Sequence, residues 1–414
     1  MTAKDHLPPH HHSTVLLTGA TGFLGMELLP LLLDDSDRRV LALVRARTNE
    51  EAQSRVRTTL AGVFDEPERY ADRVVALRGD LTSPDLGLDD AARELALSAD
   101  EIIHGAASVA FDLPLADARE VNVGGTRRML DLAAKSADAG SLRRFTYIST
   151  AYVAGDCGGR VSESSAPQRT RFRNAYEQSK SEAEALVQTR RDELPLTIVR
   201  PSIVVGDRET GWTSSFNVIY SPLRAFASGA FKMLPARRRS PVDVVSVDYV
   251  AQAVVALSAA PTAEGRTFHI VAGDAAHSVG EMIDAAAKRF EQPAPTCVSP
   301  RLYRRLLHPL AMRRASRPAR RLLKRNEVYF PYLGMRMRFD DTDARAILDP
   351  LGIRPSPLLE YFPTLIEFAQ AAGWGRRPID RAQARVLSGI APARTTQAAL
   401  RMPAGVHAPA ASCN

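Results

Sequence analysis

The sequence predicts an α/β protein, a doubly wound parallel sheet with a smaller, mainly helical substrate lobe toward the C-terminus. Three observations predict it. Short apolar, β-branched runs alternate with helix-length segments from residue 14 to about 205, the pattern of βα units in a parallel sheet. A glycine-rich turn, GATGFLG at 19–25, joins the first run to the first helix. Beyond about 205 the alternation thins and the chain reads as mostly helical. The expected organisation is a disordered leader (1–13), a nucleotide-binding sheet domain (14–280) with lobe insertions after 205, a helical lobe (281–375) and a disordered tail (376–414).

Each element follows in order. TVLLTG is the first strand and FLGMELLPLLL its helix, with Pro30 expected to kink or end it. RVLALVR (39–45) is the second strand, followed by a charged helix over 48–64. RVVALRGD (73–80) and EIIHGAA (101–107) are the third and fourth strands. LADAREVNVGGTRRMLDLAAKS (115–136) reads as one long helix, and RRFTYIST (143–150) as the fifth strand. A helix carrying Tyr176 and Lys180 leads to LTIVRPS (196–202), the sixth. RTFHIVAG (266–273) is one more strand, and PLLEYFPTLIEFAQAAGW (357–374) a core helix of the small lobe. In such sheets ligands bind beyond the carboxyl ends of the strands, where each motif discussed below falls.

The bulk numbers suit a soluble globular protein of one large domain or two ordinary ones: 414 residues, 45% hydrophobic, net charge +7. Three cysteines, Cys157, Cys297 and Cys413, are too dispersed for a zinc site or a disulfide framework. They point to a reducing cytosol. No apolar run is long enough to span a membrane. Histidines 10–12 read as part of a polar tail rather than as metal ligands.

The glycine loop carries the first chemistry. Gly19 permits a tight turn, Gly22 lets backbone approach a pyrophosphate, and Gly25 allows close packing. Thr21, Phe23 and Leu24 go to the cofactor with them. The helix amino terminus adds N–H donors and a partial positive charge. Together with the alternating pattern this is a Rossmann fold. The second strand ends in Arg45 and Arg47 with no acid. A guanidinium there suits a 2′-phosphate, so NADPH is expected, with Arg45 the better candidate. Asp80 is placed against the adenine amino group with Leu81 beside the ring. Small residues at HGAAS (104–108), Ala106 among them, let the chain pass under the cofactor. His104 reads as a satisfied buried histidine rather than a catalytic group.

The second chemistry is NAYEQSK (174–180), which sets Tyr176 and Lys180 one helical turn apart. A tyrosine near a lysine ammonium can pass a proton to or from a carbonyl or alcohol oxygen while hydride moves. A third group must hold the substrate oxygen, and Ser149 and Thr150 are both available at the fifth strand end.

GATGFLG, GDLT, NVGGT (122–126), the IST strand end, YEQSK and VRPSIVVG (199–206) occur in this order over the first half of the chain. The chain thereby resembles the extended short-chain dehydrogenase/reductase family. HGAASVAFDLPLADAREVNVGGTRRMLDLA (104–133), YISTAYVAG (147–155), Arg45 and PVDVVSVDYVAQAVV (241–255) are most similar to its fatty acyl-CoA reductase ("male sterility") and thioester reductase branch. The resemblance implies a triad of Thr150, Tyr176 and Lys180, with Pro201 to Val204, Ile203 included, flanking the nicotinamide and Asn122 orienting backbone behind the site. It implies NADPH-dependent reduction of an acyl-CoA or acyl-carrier-protein thioester to aldehyde or alcohol. A homodimer is compatible with it. The alternatives are a ketoreductase or hydroxysteroid-type dehydrogenase, a nucleotide-sugar epimerase or dehydratase, and a cofactor-binding protein without turnover.

RLYRRLLHPLAMRRASRPARRLLKR (301–325) holds ten Lys or Arg and no acid, with leucines at roughly helical spacing. It suits three roles: peripheral contact with an anionic membrane, reception of coenzyme A or carrier phosphates, or a solvated basic face whose leucines pack inward. Nucleic acid is excluded as the expected partner because no recognition motif accompanies the charge. Arg237 to Arg239 read as surface.

Overall fold

The computed structural model describes residues 13–34, 36–165, 171–216, 218–314 and 316–390. The chain opens with β1 (Thr14–Thr18), α1 (Phe23–Leu33), β2 (Arg39–Val44), α2 (Asn49–Val63), β3 (Val74–Arg78) and α3 (Asp90–Leu97). β4 (Glu101–His104), α4 (Leu115–Arg119), α5 (Gly125–Asp138) and β5 (Arg144–Ile148) continue it. Then come β6 (Gly159–Val161), α6 (Ala175–Gln188), β7 (Leu196–Pro201), β8 (Ile203–Val205) and α7 (Tyr220–Ala227). β9 (Met233–Pro235), β10 (Pro241–Val242), β11 (Val244–Ser246), α8 (Val247–Ala259) and β12 (Arg266–Ile270) follow. The last part holds β13 (His277–Ser278), α9 (Val279–Phe290), β14 (Thr296–Val298), α10 (Pro300–Leu302), α11 (His308–Arg314) and α12 (Arg317–Asn326). β15 (Met337–Phe339), α13 (Thr342–Leu348), α14 (Leu358–Ala371) and α15 (Arg381–Leu387) complete it.

The centre is a seven-stranded sheet in the order β12-β7-β5-β4-β1-β2-β3. Every neighbouring pair in it is parallel. Strand order reverses between β1 and β4, the switch point at which doubly wound sheets bind ligands. β5 and β7 are buried at every residue, as strands covered by helices on both faces must be. Alternation along β1 divides the core. Val15 and Leu17 pack with α1, α2 and α8 residues such as Leu32, Val56 and Val254. Leu16 faces the other layer with Ala96, Met129 and Ala183 of α3, α5 and α6.

A second core joins Leu223 and Phe226 of α7, Ile283 of α9 and Phe362 and Ile366 of α14. Short strand pairs stitch the remaining segments together: β8 with β11, β9 with β14, β10 with β13 and β6 with β15.

Several expectations need adjusting. α1 runs one turn beyond Pro30 and ends at Leu33, where the Asp34 N–H bonds the Pro30 carbonyl. The expected single helix over 115–136 contains a π turn at Glu120–Gly124, between α4 and α5. The basic stretch is not one helix: α11 ends at Arg314 and α12 starts at Arg317, with Pro309 inside the former and Pro318 near the start of the latter. Leu302, Leu306 and Leu310 there are exposed, not packed inward.

The tail expected to be disordered from residue 376 begins with folded chain. Asp380 and Gln383 form a capping box for α15. Ala384 is fully buried beside Trp212, Phe368 and Ala372. The Trp212 indole donates a 3.1 Å bond to the Ile379 carbonyl, and Arg381 pairs with Glu27 at 2.8 Å. These are tertiary contacts, which composition without periodicity does not reveal. Residues 391–414 and the leader 1–12 lie outside the described residues. No described helix is long and apolar enough to cross a membrane.

Candidate active site

The glycine loop follows β1 at the switch point. Gly19 adopts φ +83°, and a Cβ there would lie 3.0 Å from the Ala106 nitrogen at the end of β4. A Cβ on Gly25 would collide with the Gly19 carbonyl and come within 2.7 Å of the Ala20 Cα. The close packing at the third glycine is therefore helix against its own turn. α2, α3 and α6 begin with side-chain caps from Thr48, Asp89 and Asn174, whereas α1 begins at Gly22 without one. Among the described residues its first-turn N–H groups have no side-chain acceptor, and Thr21, Phe23 and Leu24 beside them are partly exposed. A dinucleotide pyrophosphate fits this cradle, which any side chain at Gly19 would close.

Arg45 is exposed just past β2, and its guanidinium has no carboxylate partner among the described residues. The Arg47 N–H bonds Glu51. Asp80 accepts bonds from the backbone and hydroxyl of Thr82 through Oδ1, at 2.9 and 2.8 Å, holding the loop after β3. Leu81 is placed differently from expectation: its side chain is buried in the core against Gly125, so its flank is not open to an adenine.

His104 is fully enclosed, with Nδ1 2.8 Å from the Thr18 hydroxyl and Nε2 3.2 Å from that of Thr126. Burial, with Lys180 nearby, pushes its pKa down to about 3, so it is neutral at pH 7. Thr18 in turn holds the Ala106 N–H at 3.1 Å. Asn122, in the π turn, clamps the backbone of Ser108 through both amide atoms, at 2.7 and 3.0 Å, and bonds Ser179 at 2.9 Å. The π turn thus points one polar side chain at the loop behind Tyr176.

The hydroxyls at the end of β5 divide their work. Ser149 donates a 2.5 Å bond to Glu184, which pairs at the same distance with fully buried Arg200. Thr150 lies between the Pro201 carbonyl, at 3.3 Å, and the Tyr176 phenol. Thr150 is the strand-end hydroxyl that reaches Tyr176.

Tyr176 is half-buried, and burial pushes its phenol up to about 12, the bond with Thr150 working the other way. It is a protonated donor at neutral pH. Among the described residues no hydrogen bond joins Lys180 to it. The ammonium donates a 2.8 Å bond to the Ile148 carbonyl and sits 4.3 Å from the centre of the Tyr147 ring. Burial brings it down to about 7, with Glu184 one turn further on pulling it up. The expected tuning of Tyr176 by Lys180 has no hydrogen bond behind it in this arrangement; the lysine is anchored to the strand.

Three residues near Tyr176 were not expected from the sequence. Phe111, just after β4, stacks on Tyr176 and on Tyr332, with centroids 5.7 Å away in each case. Tyr332 accepts a 2.8 Å bond from Asn174 and donates a 2.6 Å bond to Glu177. Tyr329 meets Phe111 from the side. Tyr332 and Tyr329 also line an apolar cavity with Ile203, Phe226, Ile283 and Leu333. Phe111 sits inside the segment that carried the resemblance and was findable there. Tyr332 lies in a non-periodic stretch and had no such signal.

Known proteins share this sequence pattern and fold. A family model described as male sterility protein matches residues 17–254. The large subunit of L-2-aminoadipate reductase from Penicillium chrysogenum is 34% identical over 272 residues, covering 61% of this chain and 19% of that protein. Human fatty acyl-CoA reductase 1 is 31% identical over 274 residues, covering 57% of this chain and 52% of that protein. The chain therefore spans about half, or much less, of the length of these curated relatives. The terminal R domain from the myxalamid PKS-NRPS biosynthetic pathway superposes with TM-score 0.76 and 28% identity, covering 90% of this chain and 94% of that one. UDP-glucuronic acid 4-epimerase from Bacillus cereus, at TM-score 0.60 and 19% identity over 87% of this chain and 99% of its own, shares the fold.

Proposed function

The chain belongs to the male sterility family of NAD-binding domains, and from that premise we propose that it is an NADPH-dependent reductase of a fatty acyl thioester. The observation that carries this reading is the meeting of Thr150 and Tyr176 at the strand ends, beside aromatic residues that border an apolar cavity. An apolar cavity takes an acyl chain. A protonated phenol and a hydroxyl, joined to the cavity wall through Phe111 and Tyr332, can hold the carbonyl oxygen.

The nicotinamide supplies the hydride. Gly19, Gly22 and the first turn of α1 would hold its pyrophosphate, Arg45 would take a 2′-phosphate, and Asp80 would accept from the adenine amino group. Ala106, Pro201 and Ile203 border the nicotinamide end. Thr150 and Tyr176 donate to the oxygen as negative charge builds on it, the interaction that gains most in the transition state. Tyr176 then gives up its proton to that oxygen. Collapse of the resulting hemithioacetal releases thiol and aldehyde. Lys180 fixes the end of β5 and reaches the ribose side of the cofactor, so its effect on Tyr176 runs through position.

Exposed Leu302, Leu306 and Leu310, at four-residue spacing among arginines, support peripheral contact of the basic stretch with an anionic membrane. The test follows NADPH absorbance with long-chain acyl-CoA, acyl-carrier protein, a fatty aldehyde and a sterol. Consumption with a thioester is expected. Consumption with the sterol alone returns the ketoreductase and hydroxysteroid alternative.

A further inference from the structure

A pocket of about 600 Å³ lies apart from the cofactor cradle, between the segment before β10 and the edge strand β15. Its wall contains Arg160, Arg237, Arg238, Arg239, Arg336 and Arg338 and no acidic residue. Two of these cations are already neutralised: Arg160 by Asp274 and Asp340, and Arg238 by Asp284. Arg237, Arg239, Arg336 and Arg338 are exposed, and their guanidinium groups have no carboxylate partner among the described residues. Converging like charges without counter-ions repel one another, so this arrangement is destabilising unless an anion fills it.

A second observation points the same way. Ser240 in the same wall is 4% exposed, and its hydroxyl has no hydrogen-bond partner among the described residues. A buried hydroxyl left unpaired costs free energy. A phosphoryl oxygen would satisfy it.

The pocket is also connected to the chemistry. Met335 lines it and packs in the cluster that holds Tyr152 and Tyr332. The Arg237 N–H bonds the Leu333 carbonyl at 3.0 Å, and Leu333 lines the apolar cavity. The chain from Tyr332 to Arg336 therefore forms a shared wall, with Tyr332 on the side of Phe111 and the apolar cavity and Arg336 lining the arginine pocket.

We propose that this arginine pocket binds the phosphorylated nucleotide end of a coenzyme A thioester whose acyl end lies at Tyr176. The inference rests on the thioester reading above and names the carrier. Charge decides between carriers: the coenzyme A nucleotide bears a pyrophosphate and a 3′-phosphate, which match several unpaired guanidinium groups, whereas a carrier protein's arm bears a single phosphodiester. Arg is the residue suited to phosphate, since its planar fork bonds two oxygens at once.

The test uses the full chain with NADPH saturating, so that the cofactor's own phosphate sites are filled. Adenosine 3′,5′-bisphosphate is titrated by calorimetry into wild type and into an Arg239→Ala/Arg336→Ala double variant. Binding to wild type, weakened about tenfold or more in the variant, is expected. An Arg239→Lys/Arg336→Lys variant recovers part of that binding and separates lost charge from lost fold. In turnover, KM for acyl-CoA rises in the alanine variant with kcat held, while KM for an acyl-N-acetylcysteamine thioester, which lacks phosphate, does not move. Equal binding of the bisphosphate to wild type and alanine variant, or to neither, overturns the proposal. So does a KM loss confined to a carrier-protein thioester. Loss of bisphosphate binding with no thioester turned over upholds the pocket and removes the reductase reading instead.

Discussion

The ammonium of Lys180 donates a 2.8 Å hydrogen bond to the carbonyl of Ile148, the last residue of β5. That bond ties α6, which carries Tyr176, to the strand end that carries Thr150. It makes the lysine a positioning residue for two hydroxyls at once.

It also makes Lys180 costly to the fold at low pH. Its value falls from 10.5 to about 7 on burial. Between those two values the unfolded chain binds a proton that the folded site resists, so stability from this group rises with pH across the window and the penalty is complete below about 7. Lys180→Met should therefore melt higher than wild type at pH 6.5 in the absence of nucleotide, and the gap should shrink toward pH 10. A Tm difference that does not change with pH would contradict this. Turnover by the variant should fall at every pH.

The division of labour between Ser149 and Thr150 puts catalysis on one hydroxyl and not on the other. Thr150→Val removes a donor to the substrate oxygen and should lower kcat about 10²-fold, with a stability cost of about 1 kcal/mol from the lost bonds to the Pro201 carbonyl and from the Tyr152 N–H. Ser149→Ala should leave kcat nearly intact and cost about 1 kcal/mol of stability, because Glu184 loses one of its bonds. Steady-state rates and melting curves on both variants decide it. The reverse pattern would make Ser149 the active hydroxyl.

Cofactor choice is read from Arg45. Arg45→Ala should raise KM for NADPH about tenfold or more and leave KM for NADH within about twofold, since only the former brings a 2′-phosphate. Parallel titrations of the two cofactors measure this. Equal changes in both would remove Arg45 from the phosphate site.

α15 should matter to the whole sheet domain. Glu27 is 4% exposed, and burial raises its pKa to about 7 with Arg381 opposing. Arg381→Ala should cost about 1–2 kcal/mol, less than a fully buried pair, because Arg381 is partly solvated and Glu27 can take up a proton. A chain ending at residue 375 should lose more, as Trp212 loses its cover. Denaturant melts give both values. No change in either would mean that α15 contributes nothing to the fold.

What could be read from sequence was local. Gly19 and Gly25 are glycines because a Cβ would strike neighbouring backbone, and such steric rules leave a fixed spacing in the chain. Tyr176 and Lys180 share a helix face for the same kind of reason. The bond from Lys180 to Ile148, the stack of Phe111 on Tyr176 and Tyr332, and the meeting of Arg237 and Arg239 with Arg336 and Arg338 join segments far apart in the chain. No periodicity encodes them. Leu81 misled because a strand-end apolar residue can face the cofactor or the core, and only the packing of Gly125 against it decides.

The most direct measurement of reductive thioester cleavage at Tyr176 is stoichiometry. Long-chain acyl-CoA is incubated with NADPH and the full chain, and free thiol and NADPH oxidation are followed together, with Tyr176→Phe alongside. Thiol should appear only as NADPH is consumed, one for one if aldehyde is the product and one thiol per two NADPH if alcohol is, and both signals should drop about 10²-fold or more in Tyr176→Phe. Thiol released without NADPH oxidation, or NADPH oxidised without thiol, would contradict it.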